Sequence, residues 1–219
     1  LEADVQSLSL TGRHYIGAHN LRWGAEWKIQ QFNDNQREWE LRDSAGYNVP
    51  VHPDGLRPVY SLKSKTDSES NNFSFYAQDT YKFTNSIGVI SINAGVRVSY
   101  WDWNKECIIS PRASIGLIPE FNDNMTFRFA TGVYYQTPFY KEMRDTTTVE
   151  GISSVTLNKK IKSQRSIHFV LGYDYHFKLA DRPFKFTAEA YYKKLDNLIP
   201  YNVDNVRIVY YGENCSHGY

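Results

Sequence analysis

The chain has 219 residues, with 25 basic against 24 acidic side chains for a net charge of +1, and 16% of it is aromatic. A balance this even excludes a global field for nucleic acid, and no basic stripe with RNA-type stacking motifs occurs. Mean hydropathy is −0.56, and the absence of any run of ~18 apolar residues excludes a transmembrane helix but not a membrane β-barrel, in which only alternate residues are apolar. Seventeen Tyr, 12 Phe and 5 Trp against 2 Met and 2 Cys suit an all-β, extracytoplasmic chain. The first residues, Leu1-Glu2-Ala3-Asp4, have neither a basic start nor an apolar core, so the expectation is a removed leader or an internal piece of a longer chain.

Residues 4–11 read as a short strand ending at Gly12, followed by a turn over 13–18. Residues 19–30 alternate cleanly: Leu21, Trp23, Ala25, Trp27 and Ile29 on one face, Arg22, Gly24, Glu26 and Lys28 on the other. From 32 to 72 the pattern dissolves into Asn, Asp, Gly, Pro and Ser, which predicts a long surface loop, with a short hairpin extension over 38–42. A strand follows over 73–83, with a bulge expected near Gln78-Asp79, where the alternation blurs. Over 90–139 three consecutive segments repeat one alternation. Ile90, Ile92, Ala94, Val96, Val98 and Tyr100 oppose Ser91, Asn93, Gly95, Arg97 and Ser99. Ile109, Pro111, Ala113, Ile115 and Leu117 oppose Ser110, Arg112, Ser114 and Gly116. Phe127, Phe129, Val133, Tyr135 and Phe139 oppose Thr126, Arg128, Gly132, Tyr134 and Gln136. After a loop over 140–163, strands 166–178 and 184–194 set Ile167, Phe169, Leu171, Tyr173, Tyr175 and Phe177, then Phe184, Phe186, Ala188, Ala190 and Tyr192, against His168, Asp174, Lys185, Thr187, Glu189 and Lys193. A loop over 195–205 leads to one more strand over 206–211, for roughly nine strands and no helix.

Two features point to a membrane. Strands of 11 to 14 residues match the ~9–11 that a tilted strand needs to cross a bilayer. The turns sort into short ones (84–88, 120–124, 179–182) at one rim and mostly long loops at the other, the plan of an up-and-down outer-membrane barrel. The aromatic face then meets lipid, with Trp23, Trp27, Tyr81, Tyr100, Tyr135, Phe139, Tyr175 and Phe177 as wall and girdle residues. The opposite face, carrying Arg22, Glu26, Arg97, Arg112, Arg128, Asp174, Glu189 and Lys193, lines a wet lumen; charges of both signs there suit pairing across strands. Cys107 and Cys215 lie outside any CxxC or His/Cys cluster, which excludes zinc and thioredoxin chemistry and leaves a Cys107–Cys215 disulfide open. No metal or cofactor site is legible.

Laid out in this order, several motifs resemble the barrel of TonB-dependent outer-membrane receptors. Phe75-Tyr76-Ala77-Gln78-Asp79-Thr80-Tyr81 is similar to that family's Tyr-x-Gln-Asp-x-Trp strand. Asn93-Ala94-Gly95-Val96-Arg97, Ile109-Ser110-Pro111-Arg112-Ala113-Ser114, Thr126-Phe127-Arg128-Phe129-Ala130-Thr131-Gly132-Val133-Tyr134-Tyr135 and Ala188-Glu189-Ala190-Tyr191-Tyr192 follow in the family's order. The resemblance implies an all-β antiparallel meander, about nine strands of a ~22-strand barrel with a plugged lumen. The whole of 1–219 would be a partial barrel, with no plug domain and no energy-coupling box in it. By the same resemblance the parent binds a scarce nutrient (metal chelate, cobalamin, haem or glycan) in the outer membrane of a Gram-negative bacterium and imports it by energy-coupled plug movement. Its partners would be outer-membrane lipid, its own plug domain, a TonB-type coupler, the small-molecule or glycan ligand, and a surface lipoprotein.

Two other readings compete. A complete small barrel, an adhesin or narrow porin, fits the length but lacks an aromatic C-terminal strand signal. A soluble β-sandwich or lipocalin-like binding module would put the Phe/Tyr/Trp face in a core. An enzyme is not expected: Gly-x-Ser-x-Gly, HExxH, P-loop and Rossmann signatures are absent, and His168 and His176 stand too far apart on one strand to chelate together. Loop charges Glu142, Arg144, Asp145 and Glu150 are candidates to cap a ligand, against the plainer expectation of a solvated surface.

Overall fold

The alternating segments become long, gently repeating strands because each residue pair offers one apolar and one polar side chain to opposite faces. The structure, a computed structural model, describes residues 1–40, 60–149, 152–204, 207–215 and 217–218. Eight strands build a single antiparallel wall: β1 (Glu2–Ile16), β2 (His19–Glu40), β3 (Tyr60–Asn85), β4 (Gly88–Trp101), β5 (Glu106–Pro119), β6 (Met125–Gln136), β9 (Gln164–Leu179) and β10 (Arg182–Asp196). Between β6 and β9 lie a 3-10 turn at Tyr140–Met143 and the hairpin β7 (Arg144–Val149) with β8 (Ile152–Leu157). β8 also joins β3 in a short parallel pairing at Ser61 and Leu62. Beyond β10, β11 (Tyr201–Asp204) and β12 (Arg207–Tyr210) form a separate two-stranded sheet, and β13 (His217–Gly218) pairs with the end of β10.

One rim carries tight turns. Gly17 takes φ +58 between β1 and β2, and Ala180 and Asp181, at φ 50 and 60, make the two-residue hairpin between β9 and β10 that positive φ at both central positions favours. The other rim carries the loops and the hydrophobic core found among the described residues. Trp101, Tyr140, Met143, Ile161 and Ile199 are buried together there, with Phe32, Trp103, Leu157 and Tyr210 packed against them.

Several expectations are corrected. The described parts of the expected loop over 32–72 are strand: β2 continues to Glu40 and pairs with β3 from Tyr60, Phe32 opposite Ser68 and Trp39 opposite Ser61, while 41–59 lie outside the described residues. One face of this ribbon is covered, with Phe32 against the loop core and Asp34, Leu62 and Ser70 buried, but most of the covered residues are polar, so an apolar alternation is silent about it. Residues 41 and 42 of the expected hairpin extension lie outside the described residues. No bulge interrupts Gln78-Asp79, which pair in unbroken register with Arg22 and Leu21 on one side and Gly95 and Ala94 on the other. The loop over 140–163 contains the 3-10 turn and the β7–β8 hairpin, and β12 turns back onto β11 rather than extending the wall. β6 stops at Gln136, just before Thr137-Pro138, because proline cannot donate to the ladder, and Phe139 leaves the sheet to cap the 3-10 turn. Cys107 and Cys215 are both free, so the Cys107–Cys215 bridge is not formed. Cys107 stands opposite Tyr100 on the apolar face of the wall, whereas Cys215 sits in the loops, its N–H donating to the Leu198 carbonyl at 2.6 Å.

The sandwich reading fails on the same geometry. Phe75, Phe129, Leu171 and Phe186 are 50%, 41%, 59% and 53% exposed, and no second sheet covers their face among the described residues.

Candidate functional site

Register places the charged residues on a common face. Directly opposed residues in an antiparallel pair point the same way. Glu26 opposes Ser74 and Ser74 opposes Ser99; Tyr76 opposes Arg97, and Arg97 opposes Ser110. Farther along, Gly95, Arg112, Gly132, His168 and Lys193 form one row across five strands, and Thr126, Asp174 and Thr187 another. Arg22, Glu26, Arg97, Arg112, Arg128, Asp174, Glu189 and Lys193 therefore share one face of the sheet. Trp23, Trp27, Tyr81, Tyr100, Tyr135, Tyr175 and Phe177 share the other, and only Phe139 of that set lies off the wall.

The charged face is organised as two ion-pair clusters with open ground between them. In the first, Arg97 Nη2 donates to Glu26 Oε2 at 3.0 Å and to Ser74 Oγ at 2.8 Å, and Lys28 Nζ stands 3.7 Å from Glu26. In the second, Arg128 Nη2 lies 3.1 Å from Asp174 and 3.2 Å from Glu189, Lys185 Nζ 3.3 Å from Asp174, and Thr187 Oγ1 donates to Asp174 Oδ1 at 2.8 Å. Asp174 is buried by these partners, so its charge is held by two cations and a hydroxyl in place of water. Ser74 and Lys185 complete the clusters and were not singled out by sequence. Serine has no charge to flag it, and the value of Lys185 depends on which strand lies alongside. Between the clusters a depression of about 370 Å3 opens over β3–β6, with Gln78, Asn93, Arg97, Arg112, Ser114 and Tyr134 among its lining. Arg22 and Lys193 stand on the same face outside both clusters.

The opposite face carries an apolar band with marked ends. Toward the tight turns His19 Nδ1 and Asp79 Oδ2 meet at 2.6 Å, with the His19 ring stacked on Tyr81 at 4.6 Å. Toward the loops Trp27 Nε1 donates to Asn71 Oδ1 at 3.0 Å, and Asn71 is held in turn by Asp102. Between Asn71 and Asp79 this face of β3 shows Phe73, Phe75 and Ala77, a length of about 27 Å along the strand at ~3.4 Å per residue. Aromatic pairs sit near both ends: Trp27 with Phe73 at 6.1 Å, Tyr175 with Phe177 and Phe177 with Phe184 at 5.6 Å. Trp23 stands farther down the face and lies across Gly12, where a Cβ would meet the indole at 2.5 Å.

The loop charges have structural employment. Glu142 is buried and accepts from the Phe139 N–H at 3.0 Å, closing the 3-10 turn. Burial pushes its carboxyl above the usual range, although the Phe139 N–H and Gln164 pull it back. Burial likewise raises the neighbouring Tyr140 phenol, and the Asp34 carboxylate pushes in the same direction. Arg144 pairs with Asp34 at 3.6 Å and bonds Gln36. Asp145 is exposed, and Glu150 lies outside the described residues. Among the described residues no group of three or more His, Cys, Asp or Glu converges as for a metal ion.

With this geometry in hand, comparison with solved structures is informative about the fold. The chain superposes on a ferric enterobactin receptor of Pseudomonas aeruginosa (PfeA, in complex with enterobactin) with a TM-score of 0.63 at 16% identity, covering 98% of this chain and 32% of that one. It matches the siderophore receptor PirA of the same organism at 0.65 and 12% identity, over 98% and 35% of the two chains. It matches the outer-membrane transporter YddB of Escherichia coli at 0.63 and 16%, over 95% and 28%. The chain thus spans about a third of the length of these receptors. No curated protein sequence matches it. The model of the TonB dependent receptor-like β-barrel matches residues 3–214, nearly the whole chain. The chain belongs to the TonB-dependent receptor β-barrel family, whose members are receptors and transporters of the Gram-negative outer membrane rather than enzymes.

Proposed function

We propose that this chain forms part of the wall of an outer-membrane TonB-dependent transporter. The parent binds a scarce nutrient (metal chelate, cobalamin, haem or glycan) at the cell surface and imports it through energy-coupled movement of a plug. The observation that carries this reading is the register-locked division of the wall. Eight charged residues share one face, paired in part through Glu26–Arg97 and Arg128–Asp174–Glu189, while the other face is uncovered aromatic and aliphatic surface. In lipid the apolar face costs nothing, and the charged face needs water or a polar filling. The band between His19–Asp79 and Trp27–Asn71, about 27 Å along the strand, projects to ~20 Å at the ~40° tilt of barrel strands, near the ~25 Å apolar belt of an outer-membrane barrel, with Tyr81, Tyr175 and Phe177 toward one interface and Trp27, Tyr100 and Tyr135 toward the other. Trp23 and Phe139 fall outside these two rows.

The wall also favours a large barrel over a small closed one. Among the described residues β1 pairs only with β2, and β10 meets β13 at Leu195 and Asp196 only. Strand edges of this length require further strands in a bilayer. Those strands, the plug, the energy coupler and any surface lipoprotein belong to the parent or its neighbours.

A face-mapping experiment tests the reading. In the full-length receptor with Cys107 and Cys215 replaced by Ser, spin labels are placed at Phe129→Cys and Ala130→Cys in separate proteins. Expected is lipid-type oxygen contact at 129 and contact with a water-soluble relaxation agent at 130. Equal water contact at both positions would remove the membrane wall. Uptake that persists after deletion of the energy coupler would instead favour a passive barrel.

A further inference from the structure

Arg97 and Arg128, the two arginines of the ion-pair clusters, each hold a carboxylate, whereas Arg112, between them, holds none among the described residues. Its partner is an aromatic ring: the guanidinium lies over Tyr134, 4.6 Å from the ring centroid. Stacking occupies a face of the guanidinium and leaves the in-plane N–H fork free, the edge that pairs with a carboxylate or similar oxyanion.

The ground around that fork is built by what is missing. Arg112 is flanked in its row by Gly95 on β4 and Gly132 on β6. At Gly132 a Cβ would stand 3.0 Å from the Tyr134 ring and 3.2 Å from Arg112 Cγ, so a side chain there would displace the stack. At Gly95 a Cβ would press on the Ala77 carbonyl and on Gln78 at 3.0 Å. Two absent side chains beside a preoriented arginine open the 370 Å3 depression, and the amides of Gln78 and Asn93 lie on its border. These amides add neutral donors, and Glu26, which borders an adjoining depression with Arg112, is already held by Arg97.

We propose that Arg112, stacked on Tyr134 between Gly95 and Gly132, forms an oxyanion-binding subsite halfway up the charged face of the wall. It rests on the reading of that face as the lumen. The chemistry recognised is a carboxylate or comparable planar oxyanion, supplied either by a solute in the lumen or by an acidic side chain of the protein that fills it. The subsite lies within the wall, away from the loops, so it acts on what passes or anchors inside rather than on first capture.

The test uses the purified full-length receptor in detergent, with sodium succinate as the probe and chloride at matched ionic strength as the control. Phenylglyoxal modification of Arg112 and Arg22 is followed by mass spectrometry, and thermal unfolding is followed for the wild type, Arg112→Gln and Arg112→Glu. If the oxyanion is a solute, succinate at ten times its dissociation constant slows Arg112 modification about tenfold, leaves Arg22 unchanged, and raises the midpoint of the wild type but not of R112Q. If the protein supplies the carboxylate, succinate has no effect, Arg112 reacts more slowly than Arg22, and R112E lowers the midpoint further than R112Q. The proposal is overturned if Arg112 reacts like Arg22 with and without succinate. It is equally overturned if R112Q and R112E unfold alike and succinate protects nothing. The wild-type modification reading stands even if a variant fails to assemble. The labels at 129 and 130 report the side assignment separately, so either failure is distinguishable from the other.

Discussion

On β9, Phe169 and Leu171 stand 42% and 59% exposed, while a short way upstream Ile161 is 1% exposed beneath Trp101 and Tyr140. The wall and the loop cluster draw on the same residue types and dispose of them in opposite ways. The cluster buries its apolar side chains in a small dry core, as a protein in water must. The wall displays them and turns its charges to the other side, which is favourable only where the outer medium is hydrocarbon. On the proposed reading the contrast corresponds to two media: water around the loops and the charged face, lipid around the strand band.

The comparison can be broken most severely at Trp101, which is 3% exposed in the loop cluster at the end of β4. In the full-length receptor Trp101→Ala is expected to cost the loop cluster about 3–5 kcal/mol, as aromatic-to-alanine core substitutions do. Hydrogen exchange should rise around Tyr140–Met143 while heat-resistant folding of the wall persists. Loss of both together would mean that the two regions are one cooperative unit.

Next in size is the wall itself. Leu171→Arg should destabilise the assembled barrel by about 2–4 kcal/mol, the range for arginine near the bilayer centre. Its neighbour Val170→Gln, on the charged face, should stay within about 0.5 kcal/mol. Urea titration of the receptor in lipid vesicles reads both, and equal costs would erase the distinction between the faces. The charged face itself is sharpened by Asp174→Ala. The substitution leaves Lys185 without its carboxylate and Arg128 with Glu189 alone, for an expected cost of about 1–3 kcal/mol. An additional Glu189→Ala should then cost more than it does in the wild type, since the two acids share one guanidinium.

The smallest effect is titrational and belongs to the loop cluster. Glu142 carries a carboxyl raised above its ordinary value by burial, so the folded cluster binds that proton more tightly than the unfolded chain does. The contribution is therefore favourable at or below the ordinary carboxylate value and is lost as pH rises through the raised one. Protection of Tyr140–Met143 against hydrogen exchange, corrected for intrinsic rates, should weaken across that window. Glu142→Gln should flatten the dependence, and an unchanged slope would show that Glu142 does not set it.

Legibility in the sequence followed the medium. Where apolar and polar residues alternate along the wall, the alternation placed Arg97, Arg112 and Arg128 on one common face of the sheet, because a strand has a period of two. In the β2–β3 ribbon beyond the band the covered face is itself mostly polar, with Asp34 and Ser70 buried beside Leu62, so the pattern lapses and the strands over 32–37 and 60–72 read as loop. Glu142 and Arg144 looked like free surface charges. Glu142 accepts locally from the Phe139 N–H, but Gln164, Asp34 and Gln36 come from distant parts of the chain, which sequence separation conceals.

What the sequence determined by itself was the strand grammar, which wall residues share a face, and the family, since these follow from local alternation and motif order along one strand at a time. Only the tertiary structure decided which charges meet. Arg128 finds Asp174 and Glu189 because β9 lies between β6 and β10 in unbroken register. Arg112 finds Tyr134 and no carboxylate because its row offers glycine on both sides. Pairing across strands depends on register, which is set by the sum of many backbone hydrogen bonds and the turns that start them rather than by any local run of residues.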